Sequence, residues 1–382
     1  MKRVAVITGT RSEYGILQPV MERIQSSTRL ELSLVVTGMH LSPEYGLTVR
    51  DIESGGLKID ARVDMLFSSD TKAAMAKGLG IGIYGIAHEL ERLQPHIVLV
   101  LGDRVEAFAG AISGLFCGAA VAHLHGGEVT EGGLDEYMRH AVTKLSHLHF
   151  AATERSQERI LKLGEHPDFV YWVGTPGLDA LLHYPEMSDE ELSQHLGVSI
   201  PARFALIVQH PISTHPETAS EEITETLTAL KYSGIPAFLI YPNADAGSRE
   251  MISVIRQFEA EGWLTTFISV PRGIYCNLLR RTAVLIGNSS SGMIDTPTYG
   301  IPVINIGERQ LGRERGENVI DVPPVQDEIE KAINRTLTDA KFLEQIKHTR
   351  NPYGDGHASE KICAILETVD LAAARKAKKL PW

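Results

Sequence analysis

Short, nearly continuous apolar runs alternate with amphipathic segments along the whole chain, and this alternation limits the possible folds more than any other feature. The runs are rich in Val, Ile, Leu and Phe, which is typical of strands buried on both faces of a parallel sheet. Helical patterns lie between them, so the chain has the βαβ rhythm of an α/β protein. The predicted strands are Val4–Thr8, Leu32–Thr37, Ile97–Leu101, Val121–His125, His149–Ala152, Phe204–Gln209, Ala237–Tyr241, Thr266–Val270, Ala283–Gly287 and Val303–Ile306.

The strands and helices form two groups, which a Pro- and Gly-containing stretch over residues 174–202 separates. We therefore predict two Rossmann-like, doubly wound domains with a central cleft, covering residues 1–175 and 176–360. Residues 361–382 are predicted to form a C-terminal helix that packs back on the N-terminal domain. In such folds, ligands bind outside the carboxyl ends of the strands, so the residues that follow each strand are the candidates for function.

Charge and cysteine content exclude several classes of protein. The formal net charge of −11 argues against a protein that mainly binds nucleic acid or an anionic membrane. The three cysteines are far apart and form no CxxC motif, so we expect neither a disulfide framework nor a zinc site. No apolar stretch reaches the roughly 20 residues of a membrane span. We expect a cytoplasmic protein.

Three candidates follow the strands of the N-terminal half. Arg11 lies in a Gly-containing turn that leads into a helix, where backbone amides and the arginine can hold an anion. The alternative is an ordinary βα turn with a surface arginine. His40 follows the second strand, and it is either a group in the cleft or a structural histidine. Asp103 ends an apolar strand, where a carboxylate is costly to bury without a role. It is either a structural anchor or an acid–base group.

The densest group of polar residues in this half is the segment His123–Glu128, followed by Asp135 and Arg139. The glycines 126 and 127 allow the backbone to approach a ligand closely. Asp135 and Arg139 are four residues apart and share a helix face. Carboxylates beside an imidazole, His125 or His123, suit proton transfer. The alternatives are a metal site or a helix start with capping acids.

In the C-terminal half, the segment Gly287–Gly292 contains three consecutive serines between a strand and a helix. Ser289, Ser290 and Ser291, with the amide of Gly292, resemble a phosphate cradle at a helix N-terminus. The segment lacks the lysine of a P-loop. Arg309 and Arg313 follow the next strand, where they can neutralise a diphosphate. The alternative is a plain serine-rich helix cap.

Together these motifs resemble the hydrolysing UDP-N-acetylglucosamine 2-epimerases of sialic-acid and related nonulosonic-acid pathways. The resemblance covers about residues 4–320, and its motifs occur in the expected order. They are Gly9–Gly15, Leu101–Arg104, His123–Glu128, Asp135 with Arg139–His140, Gln209–Pro211, Tyr241–Asp245 and Gly287–Gly292.

This resemblance implies the glycosyltransferase-B architecture and a reaction without metal or cofactor. UDP-GlcNAc loses its C2 proton and UDP to give 2-acetamidoglucal, and water then adds with inversion at C2 to give N-acetylmannosamine. The implied acid–base groups are Asp103, Asp135 and either His125 or Glu128, with His40 as a further candidate. Residues implied to hold the substrate or UDP are Arg11, Arg104, Arg139, His210, Asn243, Val270, Ser289, Ser290, Ser291, Gly292, Asp295, Arg309 and Arg313.

Some positions depart from the family pattern. Some relatives have glutamate where His125 stands, serine where Gly15 stands, and glutamate where Asp295 stands. The non-hydrolysing branch has a lysine in the first loop, where this chain reads Tyr14-Gly15-Ile16. That difference favours the hydrolysing branch.

Other functions are compatible with these motifs. The protein could catalyse the same reaction on UDP-2,4-diacetamido-2,4,6-trideoxyglucose, or it could be a non-hydrolysing epimerase, a glycosyltransferase of the same architecture, or a catalytically silent nucleotide-sugar sensor. We expect the protein to form a homo-oligomer, either a dimer or a tetramer. We expect its ligand to be a UDP-sugar, and we expect it to bind neither nucleic acid nor a membrane.

Overall fold

The computed structural model describes residues 1–67, 72–129, 134–212, 215–242 and 247–378. The strands in these residues are β1 (Lys2–Thr8), β2 (Leu30–Thr37), β3 (Ile59–Val63), β4 (Ile97–Leu101), β5 (Ala120–Leu124), β6 (Leu148–Ala151), β7 (Val170–Trp172), β8 (Ala205–Val208), β9 (Ala237–Ile240), β10 (Leu264–Phe267), β11 (Val284–Gly287), β12 (Val303–Ile306) and β13 (Val319–Val322).

Helices connect almost every pair of consecutive strands, and short 3₁₀ turns follow several strands or helices. The helices are α1 (Arg11–Ser26), α2 (Val49–Ser54), α3 (Lys72–Leu93), α4 (Val105–Phe116), α5 (Leu134–Leu145), α6 (Glu154–Lys162), α7 (Pro176–His183), α8 (Asp189–Leu196), α9 (Ala219–Ser233), α10 (Ser248–Glu259), α11 (Arg272–Arg281), α12 (Ser291–Ile294), α13 (Gln326–Thr338), α14 (Ala340–Ile346), α15 (Ala358–Thr368) and α16 (Leu371–Lys376).

The chain divides into two compact units. The N-terminal unit contains Met1–Leu182 and the segment from Tyr353 onward, and the C-terminal unit contains His183–Pro352. The sequence analysis placed the boundary at residues 175/176 and the returning helix at 361–382. In the structure the returning segment already includes α15. Its Ile362 and Leu366 are fully buried in the core of the N-terminal unit, and Lys2 Nζ donates to the carbonyl of Leu366.

In the N-terminal unit, seven parallel strands form one sheet in the order β3-β2-β1-β4-β5-β6-β7. Side chains on alternate positions of β1 show why its sequence is apolar throughout. Val4 and Val6 pack in the core that contains α1, whereas Ala5 and Ile7 pack in the core that contains α3 and α4. Both faces of the sheet are covered, as predicted from the continuous apolar runs.

The C-terminal unit contains six parallel strands in the order β10-β9-β8-β11-β12-β13. Its core packs Ala205 and Ile207 of β8 against buried residues of α9, α10 and α13. The prediction of two doubly wound parallel α/β domains is therefore confirmed. None of the helices in the described part of the chain combines the length and the apolar character that a membrane span needs.

Each sheet has one point at which the chain reverses the direction in which it adds strands. In the N-terminal unit this switch point lies between β1 and β4, where Val4 pairs with Ile97. In the C-terminal unit it lies between β8 and β11, where Val208 pairs with Gly287. Connections leave a sheet in opposite directions at such a point and open a crevice at the carboxyl ends of the strands.

Candidate active site

The first βα turn, which follows β1, is held by a carboxylate of the protein itself. Thr10 caps α1, and Glu13 completes a capping box. Glu13 Oε2 accepts hydrogen bonds from the backbone N–H groups of Gly9, at 2.8 Å, and of Thr10, at 3.0 Å. Of the amides that could hold an external anion in this turn, those of Gly9 and Thr10 are therefore already occupied by Glu13.

Glu13 is not alone in this buried environment. Glu106 of α4 is only 2% exposed, and its charge acts on Glu13. Burial, reinforced by the negative charge of Glu106, raises the pKa of Glu13 to about 7. Neither acid was a candidate from the sequence. The Thr10-x-x-Glu13 spacing is the signal that identifies Glu13 as a capping residue.

We expect Glu13→Gln to remove a loss of stability that the wild type undergoes as the pH rises from about 4.5 to about 7. The pKa of Glu13 rises from about 4.5 to about 7 on folding, so the folded state binds its proton more tightly than the unfolded state. Stability from this group therefore falls as pH rises between these values, by on the order of 3 kcal/mol. Glutamine can still accept the two amide hydrogen bonds without a charge.

Thermal unfolding at pH 5 and pH 8 measures this effect. The Tm of the wild type, relative to that of the Glu13→Gln variant, should be lower at pH 8 than at pH 5. The exposed glutamate in the first turn of α6 provides a matched control, Glu154→Gln, whose Tm difference should not change with pH. A Tm difference for Glu13→Gln that is independent of pH contradicts the assignment.

Arg139 brings together the polar groups at the ends of β4 and β5. It lies on α5, is 4% exposed, and donates to the carboxylate of Asp103. It also donates to the carbonyl of Glu128, at 2.9 Å, and to Glu136 Oε2, at 2.9 Å. The carboxylate of Asp103, in the loop after β4, is therefore fixed by a buried arginine of α5. Glu136 was not a candidate from the sequence.

His123 anchors the loop that carries Asp103. It is fully buried, and its Nε2 lies 2.7 Å from the carbonyl of Gly102. Because a carbonyl only accepts, Nε2 carries the proton. Burial lowers the pKa of His123 to about 3, so the ring is neutral at physiological pH. His123 therefore positions the Asp103 loop and does not exchange protons there.

The glycine pair 126–127 has a packing role that the sequence analysis did not predict. A Cβ on Gly126 would lie 2.9 Å from His123 Nδ1. Gly127 has a φ of 74°, and a Cβ there would lie 2.2 Å from the carbonyl oxygen of Ser156 on α6. We expected these glycines to admit a ligand. In the structure Gly126 makes room for the side chain of His123, and Gly127 makes room for helix α6.

His125 and Glu128 form a pair beside this group. His125 follows β5 with a φ of 62°, which is unusual for a residue with a side chain. Its Nδ1 lies 3.0 Å from Glu128 Oε1. Its Nε2 is buried and has no hydrogen-bond partner among the described residues. The two candidates for the third acid–base group are thus neighbours, so the pair can share one proton.

Asp135 lies exposed in the first turn of α5, one helical turn before Arg139. Its negative charge raises the pKa of Arg104, as do those of Glu106 and Glu13, against the lowering effect of burial. Arg104, which follows Asp103, therefore lies within electrostatic reach of Asp135. The ends of β4 and β5 with the start of α5 bring together Asp103, Arg104, Asp135 and Arg139.

His40 occupies a different position from the other candidates. Its side chain is fully buried, with Nε2 3.1 Å from the hydroxyl of Thr8 and Nδ1 2.7 Å from the hydroxyl of Thr48. Burial lowers its pKa to about 4. Both ring nitrogens thus contact hydroxyl groups of the protein, which matches the structural alternative considered for this residue.

In the C-terminal unit, Asn288 joins the two loops of the switch point. Its Oδ1 accepts from the backbone N–H of His210, and its Nδ2 donates to the carbonyl of His210, each at 2.8 Å. The backbone carbonyl of Asn288 accepts from Arg309, at 3.1 Å, and from Gln310, at 2.8 Å. His210 and Arg309, both candidates from the sequence, are therefore held by one buried asparagine.

His210 is neutral in this arrangement. It is 7% exposed, and burial, together with the charge of Arg309, lowers its pKa to about 4. A neutral imidazole can donate one hydrogen bond to an anion and does not repel Arg309. Arg309 and His210 can thus lie near the same ligand oxygen atoms.

The serine segment after β11 is less helical than expected. The helix that we predicted after the serines is instead one turn, α12, followed by a 3₁₀ turn over Thr296–Tyr299. A dipole contribution from so short a helix is small, because few peptide units are aligned. Binding of a phosphate here depends on the amides and hydroxyls of Ser289 and Ser290.

Two of the other residues of this segment have contacts within the protein. Ser291 donates to Asp295 Oδ2, at 2.6 Å, and contacts the hydroxyl of Tyr275. Arg272 Nη2 lies 3.3 Å from the same oxygen of Asp295. Gly292 lies against β12, since a Cβ there would be 2.9 Å from the Val303 side chain. Arg272 was not a candidate from the sequence.

Three of the remaining candidates take no part in the contacts given above, and a fourth lies outside the described residues. Arg11 is exposed at the start of α1, and Val270 and Arg313 are half-buried in loops after β10 and β12. Asn243 lies outside the described residues. Among the residues that the structure describes, no group of three or more His, Cys, Asp or Glu side chains is placed to hold a metal ion.

Comparison with known proteins identifies relatives over almost the whole chain. A hydrolysing UDP-N,N'-diacetylbacillosamine 2-epimerase of Legionella pneumophila is 33% identical over 371 residues, which cover 97% of each chain. A UDP-N-acetylglucosamine 2-epimerase of Neisseria meningitidis serogroup B is 32% identical over 343 residues, which cover 90% of this chain and 89% of the relative.

Solved structures and a family model agree with these relatives. The fold is similar to that of a UDP-GlcNAc 2-epimerase from Neisseria meningitidis solved with UDP-GlcNAc, with a TM-score of 0.82 and 20% identity over 96% of this chain and 99% of that one. The family model described as UDP-N-acetylglucosamine 2-epimerase matches residues 22–367. The chain therefore belongs to the UDP-N-acetylglucosamine 2-epimerase family, and the family predicted from its motifs is confirmed.

Proposed function

We propose that this protein is a hydrolysing 2-epimerase that converts UDP-GlcNAc and water to N-acetylmannosamine and UDP. The observation that carries the proposal is the group around Arg139, which fixes the carboxylate of Asp103 in the loop that also contains Arg104, and which lies on the same helix as Asp135. Relatives whose names include hydrolysing 2-epimerase activity support it, at 31–33% identity.

The reaction divides into an elimination and a hydration. In the elimination, a base removes the proton from C2, the C2–H electrons form the C1–C2 double bond, and the C1–O bond breaks with its electron pair leaving on UDP. In the hydration, water supplies a hydroxyl to C1 and a proton returns to C2 on the opposite face. The net change consumes one water and inverts C2. It requires a base, an acid and an anion site for UDP.

We assign the acid–base steps to Asp103, Asp135 and the His125–Glu128 pair. The guanidinium of Arg139 orients the Asp103 carboxylate, so the carboxylate need not reorganise during the reaction. The exposed carboxylate of Asp135 can exchange protons with water. The third group can be either member of the pair, since Nδ1 of His125 and Oε1 of Glu128 are 3.0 Å apart.

We assign UDP to the C-terminal unit. Ser289 and Ser290 follow β11 with their amides and hydroxyls at the carboxyl end of the sheet. His210 and Arg309 are held near them through Asn288. A diphosphate with two negative charges favours a cation and several donors, which this edge supplies. Asp295 is a weaker candidate for a ribose contact than the sequence suggested, because Ser291 and Arg272 contact its carboxylate.

The second candidate substrate is UDP-N,N'-diacetylbacillosamine, which is the UDP-2,4-diacetamido-2,4,6-trideoxyglucose named above. This sugar carries a second acetamido group at C4. The specific observation in its favour is the Legionella relative, whose name states this substrate and which matches 97% of this chain. The chemistry at C1 and C2 is the same for the two sugars, so the proposed roles do not depend on the choice. A hydrolysing reaction is favoured over a non-hydrolysing one by the first loop, which has Tyr14-Gly15-Ile16 and no lysine.

We expect UDP and N-acetylmannosamine to appear when the protein is incubated with UDP-GlcNAc and EDTA and no acceptor sugar. The proposed groups are carboxylates, an imidazole and arginines, none of which requires a metal ion. NMR of the products follows the released sugar and UDP together. A parallel reaction with UDP-N,N'-diacetylbacillosamine ranks the two substrates by kcat/KM.

Three results would contradict parts of this proposal. An absolute requirement for an acceptor sugar indicates a glycosyltransferase, and formation of UDP-N-acetylmannosamine without free UDP indicates the non-hydrolysing reaction. An absolute requirement for a divalent cation contradicts the assignment of the chemistry to side chains alone.

A further inference from the structure

Glu106 lies directly beneath the first βα turn. It is the second residue of α4 and is 2% exposed. A Cβ on Gly9 would lie 2.4 Å from its Cγ, and a Cβ on Gly38 would lie 2.5 Å from its Oε1. The backbone after β1 and after β2 thus closes over this side chain, and only glycine at both positions leaves room for it. So tightly enclosed an acid has one orientation.

The carboxylate of Glu106 faces Arg104. Its Oε2 lies 3.3 Å from Arg104 Nε, and the Arg104 side chain is 42% exposed while that of Glu106 is 3% exposed. Arg104 Nη2 also contacts Met39 Sδ, at 3.7 Å. The arginine is thus held at its Nε side by a fixed acid, whereas part of its surface reaches solvent. The charge of Glu106 raises the pKa of Arg104 against the effect of burial.

The turn above Glu106 has no free amides of Gly9 and Thr10 with which to bind an anion, since Glu13 accepts from both of them. These two amides therefore cannot also hold a phosphate, which increases the importance of the nearby arginines. Arg11 is exposed at the start of α1. Arg104, which follows β4, is the arginine near this turn whose direction a buried acid fixes.

We infer that Glu106 is a positioning residue, whose carboxylate fixes the direction of Arg104 for contact with an anionic group of the nucleotide sugar. This inference rests on the proposed function, because it takes the ligand to be a nucleoside diphosphate sugar. The inference also predicts the direction in which UDP affinity changes when Glu106 is replaced. A second negative charge beside an anion site repels the ligand, so charge alone predicts that removal of Glu106 tightens binding. Loss of orientation predicts weaker binding.

Calorimetric titration with UDP separates the two effects. In Glu106→Gln, which keeps the length and nearly the volume of the side chain, we expect the Kd for UDP to rise roughly tenfold, as for loss of a charge-assisted contact. The matched control is the exposed Glu154→Gln in the first turn of α6, for which the Kd should not change. Unchanged or tighter binding of UDP by a folded Glu106→Gln variant overturns the inference.

A double-mutant cycle tests whether Glu106 acts through Arg104. In the Arg104→Ala background, Glu106→Gln should cause no further loss of UDP affinity, and the removed charge should instead improve it slightly. Equal losses in both backgrounds indicate a general structural effect and overturn the inference. Thermal unfolding of all four proteins shows whether a change in fold contributes.

Arg104→Lys provides a test that leaves Glu106 in place. Lysine keeps the positive charge but lacks the Nε that contacts Glu106 Oε2, so the Kd for UDP should rise by about as much as in Glu106→Gln. Unchanged affinity in Arg104→Lys contradicts the inference. Failure of the wild type to bind UDP contradicts the proposed function instead, so the two outcomes are distinguishable.

Discussion

Asp103→Asn and Asp135→Asn should each lower turnover by roughly 10²–10⁴-fold while UDP still binds, because each amide lacks the basicity that proton transfer requires. The measurements are kcat and KM on UDP-GlcNAc, together with calorimetric Kd values for UDP. A parallel loss of UDP binding and turnover would mean that these aspartates organise the site and do not transfer protons.

Asp103 needs its own control, since the asparagine also weakens the buried ion pair with Arg139. Glu136 contacts the same guanidinium, with its Oε2 2.9 Å from Nη1. Glu136→Gln therefore removes a carboxylate partner of Arg139 without touching the proposed base. We expect it to lower turnover less than about tenfold, as for loss of one charge-assisted hydrogen bond. A loss as large as that of Asp103→Asn would assign the effect to Arg139.

The same enzyme in D₂O tests the elimination itself. The released N-acetylmannosamine should carry deuterium at C2, because the original proton is lost and a solvent proton replaces it. Retention of the original C2 proton excludes the elimination and hydration steps. His125→Ala and Glu128→Gln belong in the same series. The one that abolishes turnover with UDP binding intact is the third acid–base group, and we favour Glu128.

The second large effect is expected for Asn288→Ala. Alanine removes the two hydrogen bonds that Asn288 makes with the backbone N–H and carbonyl of His210, and each such loss at a buried group costs roughly 1–3 kcal/mol. We expect a loss of about 2–6 kcal/mol in the free energy of unfolding, measured with urea. We also expect at least roughly tenfold weaker binding of UDP, because His210 is no longer held in place.

Asn305→Ala is the matched control for this variant. Asn305 lies on β12 of the same sheet, is 2% exposed and donates to Asp321 Oδ1 at 2.7 Å, which is away from His210. Its loss should lower stability but leave the Kd for UDP unchanged. If both asparagine variants weaken UDP binding equally, the effect comes from general instability of the sheet and not from the switch-point loops.

The sequence predicted the central strands well, and its failures lie at the sheet edges. β4 and β12 are continuous apolar runs because helices cover both of their faces, and their predicted bounds agree with the structure. The strands that were missed, β3, β7 and β13, are all edge strands. The segments Ile59–Val63 and Val319–Val322 include charged residues, and Val170–Trp172 is only three residues long. A search for long apolar runs cannot find them.

The candidate site, like the sheets, could be predicted only in part from the sequence. Parallel topology places every strand end at one edge of a sheet, so Asp103 and His125 could be predicted to lie near each other from strand assignments alone. Which groups a buried side chain contacts depends on three-dimensional packing. The sequence therefore could not show that Glu106 lies against Gly9 and Gly38, or that Gly127 makes room for α6. Asn288 was visible in its motif, but its bonds to His210 join residues 78 positions apart.

The way in which the chain passes between its two units also has a consequence for biosynthesis. The C-terminal unit is one uninterrupted segment, whereas the N-terminal unit is completed by residues from Tyr353 onward. On the ribosome, therefore, the six-stranded sheet emerges whole and can fold while the seven-stranded sheet still lacks α15. Until then the apolar surface that Ile362 and Leu366 cover stays open to solvent and to chaperones.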